Sequence, residues 1–373
     1  MNSRHAPVYY PAYLQLDRLL SSQQPLSEVH DEMLFIIVHQ AFELWFKLIL
    51  HDLDSVLSML SGEYVDESSI GLAVARLQRI VEIQRVIIEH FTVLETMTPL
   101  DFLEFRDYLV PASGSQSVQF RLIENKMGLL HDRRVRFYDG DYWRNLSDDD
   151  RKRAEESELK PSLFDVIDRW LSRTPFLNFG DFQFWRSYRD AVDAMMENDR
   201  QIILSSPSLE EGGHERQLAG LERTRQSFAL VFDPDAHARF VEAGQWRFSF
   251  NATLAALLIL LYRDRPILQQ PFRLLTTLIQ IDELFTAWRH RHSLMVQRMI
   301  GAKIGTGGSS GHDYLARTAQ AHTVFTDLFN MSTYLIPRSL LPVLPDEVER
   351  ALRFVHEGPE RRETGEDFKR PSK

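Results

Sequence analysis

The stretch from residue 30 to residue 60, HDEMLFIIVHQAFELWFKLILHDLDSVLSML, carries the pattern that decides the fold. Its apolar residues advance only by steps of three and four, in the series Leu34, Val38, Phe42, Trp45, Ile49, Leu53 and Leu57. That spacing places them on one face of an α-helix, whereas a half-buried strand would alternate with a period of two. The stretch therefore predicts a long helix with one buried face.

The same helical spacing recurs along most of the chain, and strand-like alternation is scarce. Comparable apolar stripes run through residues 73–94, 99–109, 163–171, 182–196, 245–262, 272–300 and 312–329. We therefore predict an all-α, multi-helix bundle with about eight substantial helices.

Composition and charge divide this predicted bundle into four segments. They are the first half of a main helical body (1–160), a smaller inserted helical unit (161–248), the second half of the main body (249–345) and a charged, disordered tail (346–373). The tail prediction rests on residues 357–373, EGPERRETGEDFKRPSK, which are rich in charge and poor in apolar residues. Two further charged stretches, 147–160 and 205–226, are interpreted as solvated helix faces or linkers.

Charge and cysteine content exclude several classes of protein. The chain has 43 Lys+Arg against 53 Asp+Glu, a net charge of −10, which argues against a nucleic-acid-binding face. It has no cysteine, so disulfides, thiolate-bound metals and thiol nucleophiles are impossible. The amino terminus shows no export signal, and the apolar run 252–262 is too short to span a bilayer. We expect a cytoplasmic protein that binds no membrane.

Two histidines lie on apolar faces of predicted helices. Phe35, His39 and Glu43 are four residues apart and share one face, and His292 follows Trp288 at the same spacing. Such an imidazole can be presented to an apolar pocket or, beneath a flat cofactor, can act as an axial haem ligand. The alternative for each is a hydrogen-bonded core histidine, and each pattern taken alone favours that structural role.

A glycine-rich segment and an arginine among phenylalanines add two further candidates. Residues 301–311, GAKIGTGGSSG, lack both the GK[ST] ending of a phosphate-binding loop and the third glycine of a dinucleotide motif. The segment is either an exposed linker or a loop whose N–H groups and hydroxyls, including Thr306, wrap a small anion or zwitterion. Arg106 is either a carboxylate clamp in an apolar pocket or a partner in an interhelical salt bridge.

Several of these segments together resemble the tryptophan 2,3-dioxygenases, haem enzymes that open the indole ring of L-tryptophan. The matching stretches are YYPAYLQLDRLLSSQQPLSEVHDEMLFIIVHQAFELWFK (9–47), VLETMTPLDFLEFRDYLVPASG (93–114), QFRLIENKMG (119–128), AWRHRHSLMVQRMIGAKIGTGGSSG (287–311) and FNMSTYLIPR (329–338). The resemblance covers residues 9–338, and its motifs HDEMLFIIxHQxxELW and GTGGSSG are highly specific.

The resemblance implies an all-α homotetramer with one haem b per subunit. It also implies cleavage of the indole C2–C3 bond by O₂ to give N-formyl-L-kynurenine, the first step of tryptophan degradation by the kynurenine route. His292 matches the proximal iron ligand and His39 the distal histidine that contacts the indole N–H. Arg106 matches the clamp on the substrate carboxylate, and Thr306 matches the residue that holds the amino-acid head group.

The remaining matched positions have three expected roles. The predicted walls of the indole pocket are Phe35, Phe102, Phe105 and Leu109. Aromatic residues expected to reach a neighbouring subunit's site are Tyr10 and Tyr13. Positions expected near the haem are Phe91, Ser113, Gly114, Arg121 and Trp288.

One departure from the family pattern bears on substrate range. Ser115 stands where the family usually has a phenylalanine, and loss of that ring would enlarge the pocket or loosen the loop. Two other functions stay open at this point. They are a haem-dependent monooxygenase acting on a substituted tryptophan and a non-catalytic haem- or tryptophan-binding protein.

Overall fold

In the computed structural model, the stretch His30–Leu60 forms one uninterrupted helix of 31 residues. The structure describes residues 7–135, 142–143, 146–174, 184–207, 212–305 and 311–352. Of these residues 76% are helical, and they contain no strand. The predicted all-α class is therefore confirmed.

The α-helices of the described residues are numbered in chain order. They are α1 (Tyr10–Leu14), α2 (Leu16–Leu20), α3 (His30–Leu60), α4 (Glu67–Leu94), α5 (Pro99–Phe105), α6 (Val118–Met127), α7 (Asp148–Glu158), α8 (Leu163–Ser172), α9 (Phe184–Ser205), α10 (Gly213–Ser227), α11 (Ala229–Phe232), α12 (Pro234–Glu242), α13 (Phe250–Leu261), α14 (Gln269–Ile300), α15 (Gly311–Ala321), α16 (Thr326–Asn330) and α17 (Asp346–Ala351). Short 3₁₀ turns include Arg106–Leu109 and Gly114–Gln116.

The buried face of α3 agrees with the predicted stripe at most positions. Val38, Phe42, Ile49 and Leu53 are buried, and the other predicted members of the stripe are partly buried against the core. The helix packs against α4, α6 and α8, so the buried face is wider than one stripe. Phe46 is buried for that reason although it was not in the predicted series.

Three long helices frame the centre of the molecule. α4 packs against both α3 and α14, and α14 also packs against α15. Within the α4–α14 contact, the buried amide of Gln84 donates to the carbonyl of Ile281 at 3.0 Å. A hydrogen bond inside an apolar contact fixes how the two helices sit along each other, because breaking it would strand a buried polar group. The His292 helix is thereby held in place against α4.

The observed helices differ from the predicted ones at two places. In one, a carboxylate binds backbone N–H groups, and in the other, polar side chains are buried on a helix. The predicted helix 312–329 is broken between α15 and α16, because the N–H groups of Val324 and Phe325 both donate to the Asp282 carboxylate at 2.8 Å. Helix α6 has no matching stripe in the sequence because Arg121, Glu124 and other polar residues are buried on it. Periodicity of apolar residues cannot detect either feature.

The predicted division into segments is partly visible in the packing. The proposed unit 161–248 contains α8 to α12, and its first helix packs against α3 and α13 of the main body. Helix α17 lies inside the predicted tail, and the following residue, Leu352, is only 1% exposed. Residues 353–373 lie outside the described residues, and the segment boundaries stay predictions.

One described helix, α3, is long and apolar enough to cross a membrane by length and composition. The sequence analysis considered only the run 252–262 and did not identify this helix as a candidate. A core helix passes the same test, and α3 buries Val38, Phe42 and Leu53 against neighbouring helices. Length and composition alone therefore do not assign α3 to a membrane.

The double hydrogen bond to Asp282 yields a prediction for stability. Asp282 is 2% exposed, so Asp282→Ala leaves two buried N–H donors without an acceptor. We expect a loss of about 2–4 kcal/mol in the free energy of unfolding, measured by urea denaturation, and a smaller loss for Asp282→Asn. The control Asp264→Ala breaks only a surface pair with Arg338 and should change stability by less than about 0.5 kcal/mol. Equal losses for the two alanine variants would contradict the assignment.

Candidate functional site

A cavity of about 280 Å³ opens where α3, α4 and α14 meet residues 113–121 and the start of α15. Its walls are mostly apolar and aromatic, with a few polar groups, as in sites for flat organic ligands. Most residues singled out from the sequence line this one cavity. They are Phe35, His39, Phe91, Phe102, Arg106, Ser113, Gly114, Arg121, Trp288 and His292.

His39 is held in one tautomer by its own helix. Its Nδ1 lies 2.7 Å from the carbonyl oxygen of Phe35, so Nδ1–H donates and Nε2 keeps its lone pair. The ring also packs on the Phe35 ring, with centroids 4.1 Å apart. Burial lowers the pKa of His39 despite the opposing effects of the Phe35 carbonyl and Glu43. The side chain therefore lines the cavity as a neutral imidazole able to accept a hydrogen bond.

His292 is a second neutral imidazole in the same cavity. Its ring packs against both Phe91 and Trp288, which also contact each other, with centroid distances of 5.7 and 5.2 Å. Burial lowers the pKa of His292 to about 4, and nearby His39 contributes to the shift. Its Nδ1 is buried with no hydrogen-bond partner in the described part of the chain. A neutral imidazole is the form that binds a metal, because the ligand nitrogen must carry a lone pair.

His292 has no companion metal ligands within the described ranges of the chain. Among the described residues, no group of three histidine or acidic side chains could hold a metal ion. A single imidazole on an apolar wall suits a cofactor that brings its own equatorial ligands, as iron porphyrin does. The cavity walls fit that requirement, since aromatic and methionine side chains such as Phe91, Met295 and Met299 can pack on a flat apolar ring.

Arg106 reaches the cavity beside the aromatic wall. One Nη donates to the carbonyl of Ile304, and Nε is buried with no hydrogen-bond partner among the residues that the structure describes. It makes no ion pair within the described ranges, so the interhelical salt bridge considered for it does not occur there. The wall next to it is formed by Phe35 and Phe102, whose ring centroids are 5.8 Å apart. The guanidinium thus keeps donors that a carboxylate can take.

Other predicted site residues lie away from the cavity surface. Phe105 is fully buried behind Phe35, at 5.7 Å between ring centroids, and supports the wall. Leu109 does not line the cavity but packs against the core. Tyr10 and Tyr13 are 71% and 75% exposed and do not line the cavity. Thr306 lies outside the described residues.

The structure adds cavity residues that the sequence analysis did not assign. Phe42 and Phe46 line the wall on α3, and Glu43 lines it with its carboxylate held by the Gln119 amide at 2.8 Å. Ser115 also lines the cavity and donates its hydroxyl to Ser113 Oγ at 3.1 Å. The three-residue and four-residue steps from His39 to Phe42 and Phe46 were a usable signal for the two rings.

Comparison with known proteins agrees with this arrangement. The family model described as tryptophan 2,3-dioxygenase matches residues 2–335. Relatives named tryptophan 2,3-dioxygenase are 49% identical in Bdellovibrio bacteriovorus (94% of this chain and 99% of the relative), 45% in Alteromonas mediterranea (95% and 99%) and 46% in Dictyostelium discoideum (93% and 88%). The resemblance noted from the sequence is thus confirmed along nearly the whole chain. The chain belongs to the tryptophan 2,3-dioxygenase family.

Proposed function

We propose that this chain cleaves the indole C2–C3 bond of L-tryptophan with O₂ and releases N-formyl-L-kynurenine. Family membership supports this reaction. The observation that carries it is the convergence of two neutral imidazoles, His39 and His292, with the guanidinium of Arg106 on one apolar cavity. A reaction between an apolar ring and dioxygen needs such a cavity, which orients the ring and excludes water.

The cofactor of this proposal is haem b, with His292 as its protein ligand. The neutral imidazole, the unpartnered Nδ1 and the apolar walls all fit that role. When bound, a haem supplies the iron at which dioxygen is activated. Phe91 and Trp288 pack against the His292 ring and set its orientation, while Ser113, Gly114 and Arg121 form the part of the wall proposed to meet the cofactor.

The chain's own residues bind and orient the substrate. Arg106 would take the carboxylate of tryptophan through its free donors, and Thr306 is proposed to hold the head group beside it. Phe35 and Phe102 pack on the indole ring, supported from behind by Phe105. The Nε2 lone pair of His39 accepts from the indole N–H and so fixes the rotation of the ring in its plane. Leu109 was also predicted to line the indole pocket. It does not line the cavity, and its contact with the substrate stays a prediction.

We further propose a homotetramer in which the amino-terminal segment completes a neighbouring subunit's site. Helices α1 and α2 bury no residue in their own chain. Val8, Tyr10, Tyr13 and Leu20 are all more than half exposed, and an apolar group of this size on a surface indicates a contact with another chain. A cytoplasmic location is also part of the proposal.

Isotope labelling separates the dioxygenase from the two alternatives. Reduced, haem-loaded protein is mixed anaerobically with L-tryptophan, exposed to ¹⁸O₂, and the product is weighed by mass spectrometry. The proposal predicts a product carrying two labelled atoms. One labelled atom would indicate a monooxygenase, and no turnover would indicate a binding protein.

Removing the proposed iron ligand gives the first prediction for this site. His292→Ala should abolish stable haem binding, because it removes the proposed protein ligand to the iron, and the other imidazole of the cavity, His39, is proposed to bind the substrate instead. Haem content is measured from the Soret absorbance after gel filtration. His290→Ala is the matched control, since His290 is exposed on the same helix. A normal Soret band in the His292 variant would remove this residue from the ligand role.

The distal imidazole gives the second prediction. His39→Ala should keep its haem and lose only part of its activity, because orientation through one hydrogen bond assists the reaction without being essential to it. Steady-state formation of N-formylkynurenine measures the loss. In the wild-type protein without haem, ¹⁵N NMR should show His39 as the neutral Nδ1–H tautomer. Loss of haem from the alanine variant would contradict the assigned role.

The arginine clamp gives the third prediction. Arg106→Leu should raise KM for tryptophan by about 10- to 100-fold, since a charge-assisted hydrogen bond is worth about 1.5–3 kcal/mol. Haem content should stay close to that of the wild type. Arg85→Leu, which removes an exposed arginine on α4, is the control and should leave KM unchanged. An unchanged KM in the Arg106 variant would exclude the clamp.

A further inference from the structure

One stretch of the cavity wall carries small side chains, whereas α3 lines the same cavity with phenylalanine rings. We call this stretch, residues 113–117, the serine wall, and its lining residues are Ser113, Gly114, Ser115 and Ser117. A Cβ atom added at Gly114 would have no heavy atom within 4 Å outside the neighbouring residues of the chain. The space beside the serine wall is therefore open, and a large side chain on this wall would fill it.

The serine wall is held in place by hydrogen bonds that do not need a large side chain at position 115. The backbone N–H of Ser113 donates to Gln116 Oε1 at 3.1 Å, and the backbone N–H of Ser115 donates to Ser113 Oγ at 3.3 Å. At the start of α6, the side-chain amide of Gln119 donates to the Glu43 carboxylate on α3 at 2.8 Å. Two consequences were expected for a serine at position 115, a larger pocket or a looser loop. These bonds favour the larger pocket.

The Ser115 side chain borders the open space without requiring a polar ligand group. Its hydroxyl donates to Ser113 Oγ at 3.1 Å, so the one donor of this side chain is already used. A ligand group beside Ser115 therefore strands no donor, whether that group is polar or apolar. Recognition at the serine wall then depends on the size of the ligand group more than on its polarity.

The serine wall lies between the two groups proposed to bind the substrate. It follows the turn Arg106–Leu109, which begins with the proposed carboxylate clamp, and it leads into α6. The bond from Gln119 to Glu43 fixes the α6 end to α3, one helical turn after His39. His39 is the proposed partner of the indole N–H. The serine wall thus connects the clamp to the helix that orients the indole ring.

We propose that Ser115 is a specificity-determining residue, which admits tryptophans with a substituent of the size of a methyl or hydroxyl group on the six-membered ring of the indole. The inference rests on the proposed function, because it needs tryptophan in this cavity. The rings of Phe35, Phe102 and Phe105 contact one another, so that side of the pocket is closely packed. The serine wall is the side with open space. A phenylalanine at position 115 fills that space and rejects the substituent sterically.

Equilibrium binding tests the proposal without turnover. Reduced, haem-loaded protein is kept free of O₂ and titrated by calorimetry with L-tryptophan and with its methyl and hydroxy derivatives at each open position of the six-membered ring. The wild-type Kd for the best-bound derivative should lie within about tenfold of the Kd for L-tryptophan. Ser115→Phe should weaken binding of that derivative about 10- to 100-fold more than binding of L-tryptophan, the usual effect of rejecting one small group. During turnover, the ratio of the two kcat/KM values should change in the same direction.

Ser115→Ala is the matched control for the size of the side chain. It keeps the open space and removes only the hydroxyl, so the ratio of the two Kd values should stay within about threefold of the wild-type ratio. A ratio that changes as much in the alanine variant as in the phenylalanine variant would show that the hydroxyl decides, which contradicts the proposal. If Ser115→Phe does not fold, Ser115→Leu replaces it and should give a smaller change of the ratio in the same direction.

The outcomes separate this inference from the proposed function. If the wild-type protein neither binds nor cleaves L-tryptophan, the proposed function fails and the inference fails with it. If it cleaves L-tryptophan but binds every substituted tryptophan more than about 100-fold more weakly, the dioxygenase stands and the open space does not serve the substrate. If the ratio of Kd values is unchanged in folded Ser115→Phe or Ser115→Leu protein, Ser115 does not determine specificity.

Discussion

The partial burial of the His292 imidazole against Phe91 and Trp288 is the constraint on which the site depends. Burial lowers its pKa to about 4, so the ring is neutral near neutral pH, and its Nδ1 has no hydrogen-bond partner within the described residues. Burying such a polar ring without a partner is unfavourable unless a ligand binds it. The same desolvation keeps His39 neutral on the same cavity. The chemistry of the cavity follows from these two uncharged rings.

The helices around this cavity supply two kinds of wall, one of apolar side chains and one with charged side chains. α3, α4 and α14 supply the aromatic walls, and the buried Gln84 bond to α14 holds the His292 helix against α4. α6 supplies Arg121, while the cavity's other charged groups, Glu43 and Arg106, come from α3 and from the turn after α5.

Sequence reasoning predicted the fold class, and most of the site residues that it named line the cavity, but it did not predict the buried charged groups behind one wall. The three- and four-residue steps around His39 and His292 predict helical faces, because α-helical geometry links spacing to direction. Glu124, Arg134 and His322 meet from distant parts of the chain, and no local spacing encodes that contact. Because polar residues such as Glu124 are buried on α6, the spacing of apolar residues did not predict this helix. The break at residues 322–325 was missed because its cause, Asp282, lies on another helix.

The central claim is that His292 binds the haem iron, and resonance Raman spectroscopy of the ferrous, haem-loaded protein tests it most directly. The spectrum should contain an iron–histidine stretching band that shifts on ⁵⁴Fe/⁵⁷Fe substitution. In His292→Gly reconstituted with haem and free imidazole, the band should depend on the added imidazole and shift when that imidazole is labelled with ¹⁵N. A band that persists in the glycine variant without imidazole would show that another residue holds the iron.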